Sequence, residues 1–304
     1  RIHGLPVGED PDLVRPRRDV QPDFDAVLIV GSPPYIPAEL AKFVEQNKPD
    51  ENAILDAVAV RTQTMLDEVW NKSAPPALRD KLQALGRDWV DAKRANPRAA
   101  ALRHFMLVAR RHEDAAAWLR GNPLTYFDAL HAMWEFGRWQ RTLYPLLLSR
   151  HFRIGVFGHD WSSVGMQGSA KWVDYAEQAA VYARGRVARN TNQCNDEEGV
   201  SHKAFQIAAS GAACLHIERA GLAELFTLGR EIEAFQTFEE ARDKLANLVS
   251  DTARRTDVAS AGLSRFRRDH TWARRLERML ELTAQDQADA SGIRTVEAKS
   301  VCAS

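Results

Sequence analysis

Asn190 to Gly211 reads NTNQCNDEEGVSHKAFQIAASG, a polar loop running into a stretch with helical periodicity, and it holds the residues best suited to chemistry. Asn195-Asp196-Glu197-Glu198-Gly199 has loop composition, Ser201 suits a helix N-cap, and Gly211 suits the helix stop. A helix start at the carboxyl end of a strand leaves amides unpaired and carries about half a positive charge, so it favours a phosphate. Lys203, in the first turn, adds a full charge. Glu198 and Gln206 stand eight positions apart, and both can face a ligand lying over the helix start. An N-capped helix with solvated charges uses the same residues, and spacing alone leaves the two readings side by side.

Other candidates are weaker. Gly31-Ser32 closes an apolar run and can bring backbone amides close to a phosphate, or merely turn the chain. Gly158 opens the segment His159-Asp160-Trp161, which can line a base or sugar pocket, with Trp161 equally suited to packing. His202 can donate to a phosphate oxygen or simply sit at the helix cap. His216-x-Glu218 lacks a third ligand, which favours a structural role. No GxSxG, Walker A, HExxH or GxGxxG occurs, so the common hydrolase, NTPase, zincin and dinucleotide signatures are missing.

The elements that must position these residues follow from composition and periodicity. With 304 residues, 45% hydrophobic and 27% charged, the chain has the make-up of a soluble globular protein. Its 41 Lys+Arg balance 41 Asp+Glu, so no long-range field calls for a nucleic-acid partner. Three cysteines at irregular spacing fit a reducing compartment; the absence of a basic-then-apolar leader and of any transmembrane segment adds to a cytoplasmic expectation. Residues 1–24 read as a linker or arm. Ala26 to Val30 is a purely apolar run of the kind buried on both faces of a parallel sheet. Residues 38–149 have helical spacing, broken at Pro75-Pro76, Asn96-Pro97 and Gly121-Asn122-Pro123 into four or five helices. Their tryptophans, Trp70, Trp89, Trp118, Trp134 and Trp139, suit core packing better than sugar stacking.

Beyond that block, short β-rich runs at 153–157, 186–189, 212–217 and 231–235 alternate with helical stretches at 170–182, 203–210, 222–226 and 238–250. Two further helices are expected at 257–268 and 272–282, and a disordered tail at 285–304. Strands alternating with helices predict an α/β protein with a doubly wound parallel sheet, whose ligands sit at the carboxyl ends of the strands.

HKAFQIAASGAACLHIERAGLAELFTLGREIEAFQTFEEARDKLANLVSD, followed by AGLSRFRRDHTWARRLERML, resembles the carboxy-terminal domain of group 1 glycosyltransferases, and within them the spore-maturation CgeB-like branch. Lys203, Phe205, Ala209, Gly211, Leu222, Glu224, Leu225, Phe226, Gly229, Glu231, Ile232, His270, Thr271 and Trp272 carry the likeness in order. RIGVFGHDW and YARGRVARNTN are similar to upstream strand segments of that family, and LPVGEDPDLVRP with FDAVLIVGS to its interdomain linker and first strand. The resemblance implies a GT-B-type, Rossmann-like donor domain over 25–284, with the helical insertion 38–149 after the first strand. It also implies that the chain begins where an amino-terminal, acceptor-binding Rossmann domain ends.

The implied activity is transfer of a sugar from a nucleoside-diphosphate sugar to an unknown acceptor, with retention of configuration and with no metal or other cofactor. The implied donor site comprises Gly31, Ser32, Gly158, His159, Trp161, the amides of Gly199, Val200, Ser201 and His202, and Gln206. Glu198, with Glu197 an adjacent rival, matches the first acid of an E-x7-E motif facing the donor sugar. Gln206 replaces the second acid, which faces the ribose, and Lys203 replaces the family's arginine at the diphosphate. Those departures leave a second expectation, a noncatalytic nucleotide- or partner-binding module whose helical block is a docking surface.

Overall fold

The computed structural model describes residues 7–31, 34–46, 49–169, 172–191 and 199–301. Six strands form one parallel sheet: β1 (Phe24–Ile29), β2 (Ile154–Phe157), β3 (Gln167–Ser169), β4 (Gly185–Asn190), β5 (Ala213–Ile217) and β6 (Glu233–Phe235). Their spatial order is β3-β2-β1-β4-β5-β6. Ala26 of β1 stands opposite Ile154 on one side and Val187 on the other. Parallel strands buried on both faces require apolar residues at consecutive positions, and Ala26, Val27 and Leu28 are each at most 1% exposed.

Alternation divides the strands between two cores. Ala26, Leu28, Val187 and Leu215 pack with the helices inserted after β1, whereas Val27, Ile29, Ala188 and Cys214 face the opposite layer. The sheet is therefore doubly wound, as the sequence pattern predicts. That opposite layer contains α8 (Gln178–Ala183), α9 (His202–Ala209) and the short α10 (Leu222–Leu225). α11 (Phe238–Ser250), α12 (Thr252–Asp269) and α13 (Trp272–Val301) complete the helices.

The insertion consists of α1 (Ala38–Val44), α2 (Glu51–Ser73), α3 (Pro76–Ala95), α4 (Ala101–Ala109), α5 (Glu113–Gly121), α6 (Pro123–Met133) and α7 (Glu135–Leu148). Seven helices replace the expected four or five, because α1 and α2 are separate helices and the chain also turns at Arg111-His112 and at Trp134, where no Pro or Gly marks the break. In α2 the buried side chains Ile54, Val58, Thr62, Leu66 and Trp70 recur every fourth residue and form one stripe against its neighbours. Trp70, Trp89 and Trp139 are core residues, and the Trp89 indole donates to Ala101 O at 2.9 Å. Glu51, at the first turn of α2, ties the insertion to α11: its Oε1 accepts from the Phe238 amide at 2.8 Å and from the Tyr144 hydroxyl.

Three details depart from expectation. β3 carries no large apolar residue, so Gln167-Gly168-Ser169 gives no strand signal, yet it pairs with β2 at the sheet edge. The helix expected over 170–182 is confined to a 3-10 turn at Tyr175–Glu177 and α8. α13 continues to Val301 through the segment whose polar composition suggests a disordered tail; its alanines and acidic and basic residues also favour helix. The arm is docked. Glu9 bridges to Thr271, and Val14 is fully buried. Among the described residues no helix is long and apolar enough to cross a membrane.

Candidate functional site at the sheet switch point

Strands to the left and right of the β1/β4 pair are reached by connections running in opposite directions, so this pair is the topological switch point, where an open parallel sheet leaves a crevice at its carboxyl ends. The carboxyl ends of β1 and β4 and the start of α9 meet there. Ser201 caps α9 as its residue type predicts: its side chain accepts from the Lys203 amide at 3.3 Å. Gly199, Val200 and His202 adjoin this cap.

Lys203 reaches from α9 to the end of β1, where its Nζ donates to Ile29 O at 2.7 Å. Burial pushes its pKa down to about 8, and the charge of Arg141 on α7 adds to the shift. A second cation therefore approaches from the inserted helices. A third, Arg189, lies near the end of β4 at 2% exposure, with its guanidinium 5.5 Å from the Tyr144 ring and 5.2 Å from that of Phe235. Among the described residues none of its three guanidinium nitrogens has a hydrogen-bond partner, and burial lowers its pKa to about 10. Positive charge is thus concentrated where the sheet opens, an arrangement suited to an anion.

The remaining sequence-predicted residues divide between the crevice rim and the interior. Gly158, at φ +158°, packs so closely on the loop after β1 that a Cβ would lie 1.9 Å from Val30 O. Gly31 is exposed beneath Trp172, and an added Cβ would lie 3.2 Å from the Trp172 ring. His159 is exposed, with its ring 6.3 Å from Trp172. Between His159 and the next turn, Asp160 adopts a left-handed backbone at φ 61°, a conformation its short polar side chain tolerates. Trp161, by contrast, is 1% exposed and belongs to the core, so it lines no open surface; its large ring is consumed by packing. Gln206 is likewise buried, at 3% exposure. His202 engages the arm: its Nε2 lies 2.9 Å from Glu9 Oε2, and its ring stacks at 6.1 Å on Tyr175, whose hydroxyl bonds to Glu9. Ser32, Glu197 and Glu198 lie outside the described residues.

His216 has the structural role its position suggests. Nδ1 donates to Ile217 O at 2.5 Å, which leaves Nε2 to accept from Asn190 Nδ2 at 2.9 Å. Burial pushes its pKa down to about 4, so it is neutral near pH 7. Arg141, Arg189 and Trp172 were not singled out by motif. Arg189 alone carried a usable signal, a charged residue inside a strand that must be buried on both faces. Among the described residues no three His, Cys, Asp or Glu side chains gather as a metal site.

A family described as "Glycosyl transferase-like" matches residues 138–281, just under half of the chain. That span holds β2 through β6, α9 and Lys203. Among solved structures, the chain is similar to sucrose-phosphate synthase from Thermosynechococcus elongatus, with 11% identity and a TM-score of 0.42, covering 94% of this chain and 52% of that one. It is also similar to the C-terminal domain of a glycosyl transferase group 1 family protein from Francisella tularensis, with 10% identity and a TM-score of 0.36, covering 87% of this chain and 100% of that one. The chain spans about half the length of the synthase it matches. Comparison with curated proteins finds no match.

Proposed function

We propose that the chain supplies the donor-binding part of a GT-B glycosyltransferase that moves a sugar from a nucleoside-diphosphate sugar to an acceptor. The observation that carries this reading is Lys203, bridging α9 to the end of β1 at the switch point inside the segment matched by the glycosyl transferase-like family. As the bond from the anomeric carbon to the diphosphate breaks, negative charge grows on the departing phosphate. Preorganised cations and helix amides stabilise such charge without solvent rearrangement. On this reading Lys203, assisted by Arg141 and the amides around Val200 to His202, replaces the charge a divalent ion supplies elsewhere. Glu198 faces the donor sugar, the exposed rim of Gly31, His159 and Trp172 borders the nucleoside, and configuration is retained.

Calorimetric titration with UDP-, GDP- and ADP-sugars tests the reading. Saturable binding is expected with at least one donor, weakened by tenfold or more, about 1.4 kcal/mol, in Lys203→Ala. Failure of all three donors to bind the folded chain overturns it. Donor hydrolysis or transfer that is lost in Glu198→Ala identifies an enzyme, whereas binding with neither activity identifies a noncatalytic nucleotide-binding module.

A further inference from the structure

At the opposite edge of the sheet, by the amino ends of β4 and β5, lies a cavity of about 500 Å³, within the range of small-molecule sites. Four arginines line it: Arg17 and Arg18 from the arm, Arg186 from the start of β4, and Arg255 from α12. Among the described residues no acidic side chain lines it, although the chain as a whole has equal numbers of acidic and basic residues. Apart from these arginines the walls at the end of α9 are small residues, including Gly211 and Ala212. Gly211 is at φ +72°, and a Cβ there would lie 3.1 Å from Pro16, so this glycine lets the arm close against α9.

The arginines are only partly neutralised. Arg17 pairs with Asp19 at 2.7 Å and Arg186 with Asp25 at 3.4 Å, while among the described residues no ion pair forms at Arg18 or Arg255. Arg255 is held in place by donating to Leu248 O at 2.7 Å and Val249 O at 3.1 Å. Burial, with the neighbouring Arg186 charge, lowers its pKa, and the Asp251 charge opposes that shift only in part. Guanidinium groups gathered from separate parts of the chain match phosphate and carboxylate oxygens, which accept paired N–H bonds.

We propose that this cavity is a second ligand site, distinct from the switch point, for a compact oxyanion with two or more negative charges, borne by a phosphorylated or polycarboxylated small molecule. The site does not depend on the glycosyl-transfer reading. Its test is titration of pyrophosphate and, separately, citrate into the full chain carrying Lys203→Ala, which removes the switch-point cation. One saturable site is expected, weakened tenfold or more by adding Arg18→Ala and Arg186→Ala. Those two positions are chosen because Arg255 also holds backbone carbonyls; an unchanged far-UV spectrum verifies that the variant is folded. Preference for pyrophosphate supports a phosphorylated ligand, and preference for citrate a polycarboxylate. No saturable binding of either anion, or full affinity without Arg18 and Arg186, overturns the proposal. Nucleotide-sugar binding to the Arg18→Ala/Arg186→Ala chain with Lys203 intact is expected to be unchanged, so this site and the donor site can fail separately.

Discussion

Lys203 is held where burial and the Arg141 charge both oppose its proton, so the folded chain releases that proton near pH 8 and the unfolded chain near 10.5. Between those values the unfolded chain binds more protons, and stability rises with pH. Below pH 8 the buried ammonium costs the fold about 2 kcal/mol, allowing for its partial exposure. Lys203→Met is therefore expected to be more stable than the native chain at pH 7 in urea unfolding, with the difference closing as pH rises from 8 towards 10.5. A variant that is less stable at pH 7 would contradict this electrostatic account. Arg189 provides a parallel case without a compensating hydrogen bond. Replacing it with Met keeps the aliphatic contact with Tyr144 and Phe235 and removes a buried charge, so the urea midpoint should rise by an equivalent of about 1–2 kcal/mol at unchanged slope. At this scale the sequence was most informative about residue types near a helix start. Lys203 and Ser201 stand where their spacing predicts. Trp161 fills the core, one of the two readings left open, because one sequence cannot tell a ring that stacks on a ligand from one that packs. Arg141 was hidden for another reason: its charge acts on Lys203 from a helix remote in sequence.

Between β1 and β2 the decisive contact is the approach of Gly158 to Val30 O. The Val30 amide is bonded at 2.9 Å to Phe157 O, so the carbonyl cannot retreat without breaking the pairing that ends the strands. Gly158→Ala is expected to destabilise by at least about 3 kcal/mol, seen as a lowered Tm, and to weaken donor binding because the two loops at the crevice separate. An alanine variant with native Tm would show that the loops can part at little cost. The apolar strands β1, β2 and β5 and the periodic helices were legible, since each buries a pattern that a single sequence displays. β3 was not, because an edge strand of Gln, Gly and Ser is specified by backbone pairing with β2 alone. The breaks at Arg111-His112 and Trp134 also lacked the Pro and Gly that signal turns elsewhere in the insertion.

Across the whole molecule, one carboxylate joins the insertion to the sheet domain. Glu51 accepts from the start of α11 and from Tyr144, and burial pushes its pKa above the usual carboxylate value. A carboxyl with a raised folded pKa favours the fold while protonated, and that contribution fades as pH rises through the raised value. In Glu51→Gln this part of the pH dependence should vanish, leaving a flatter stability profile just above pH 4.5, measured by urea titration at successive pH values. A variant whose profile matches the native one would assign the acid dependence elsewhere. The same insertion has a consequence for how the chain reaches its native state. β1 lies between β2 and β4, yet residues 30–153 emerge from the ribosome before the first of these partners exists. Closing so long a loop is slow, whereas the inserted helices make mostly local contacts and can assemble early. The central strand of the sheet is thus synthesised first and paired late, and in that interval its apolar edge is the part of the nascent chain most open to wrong pairing or to a chaperone.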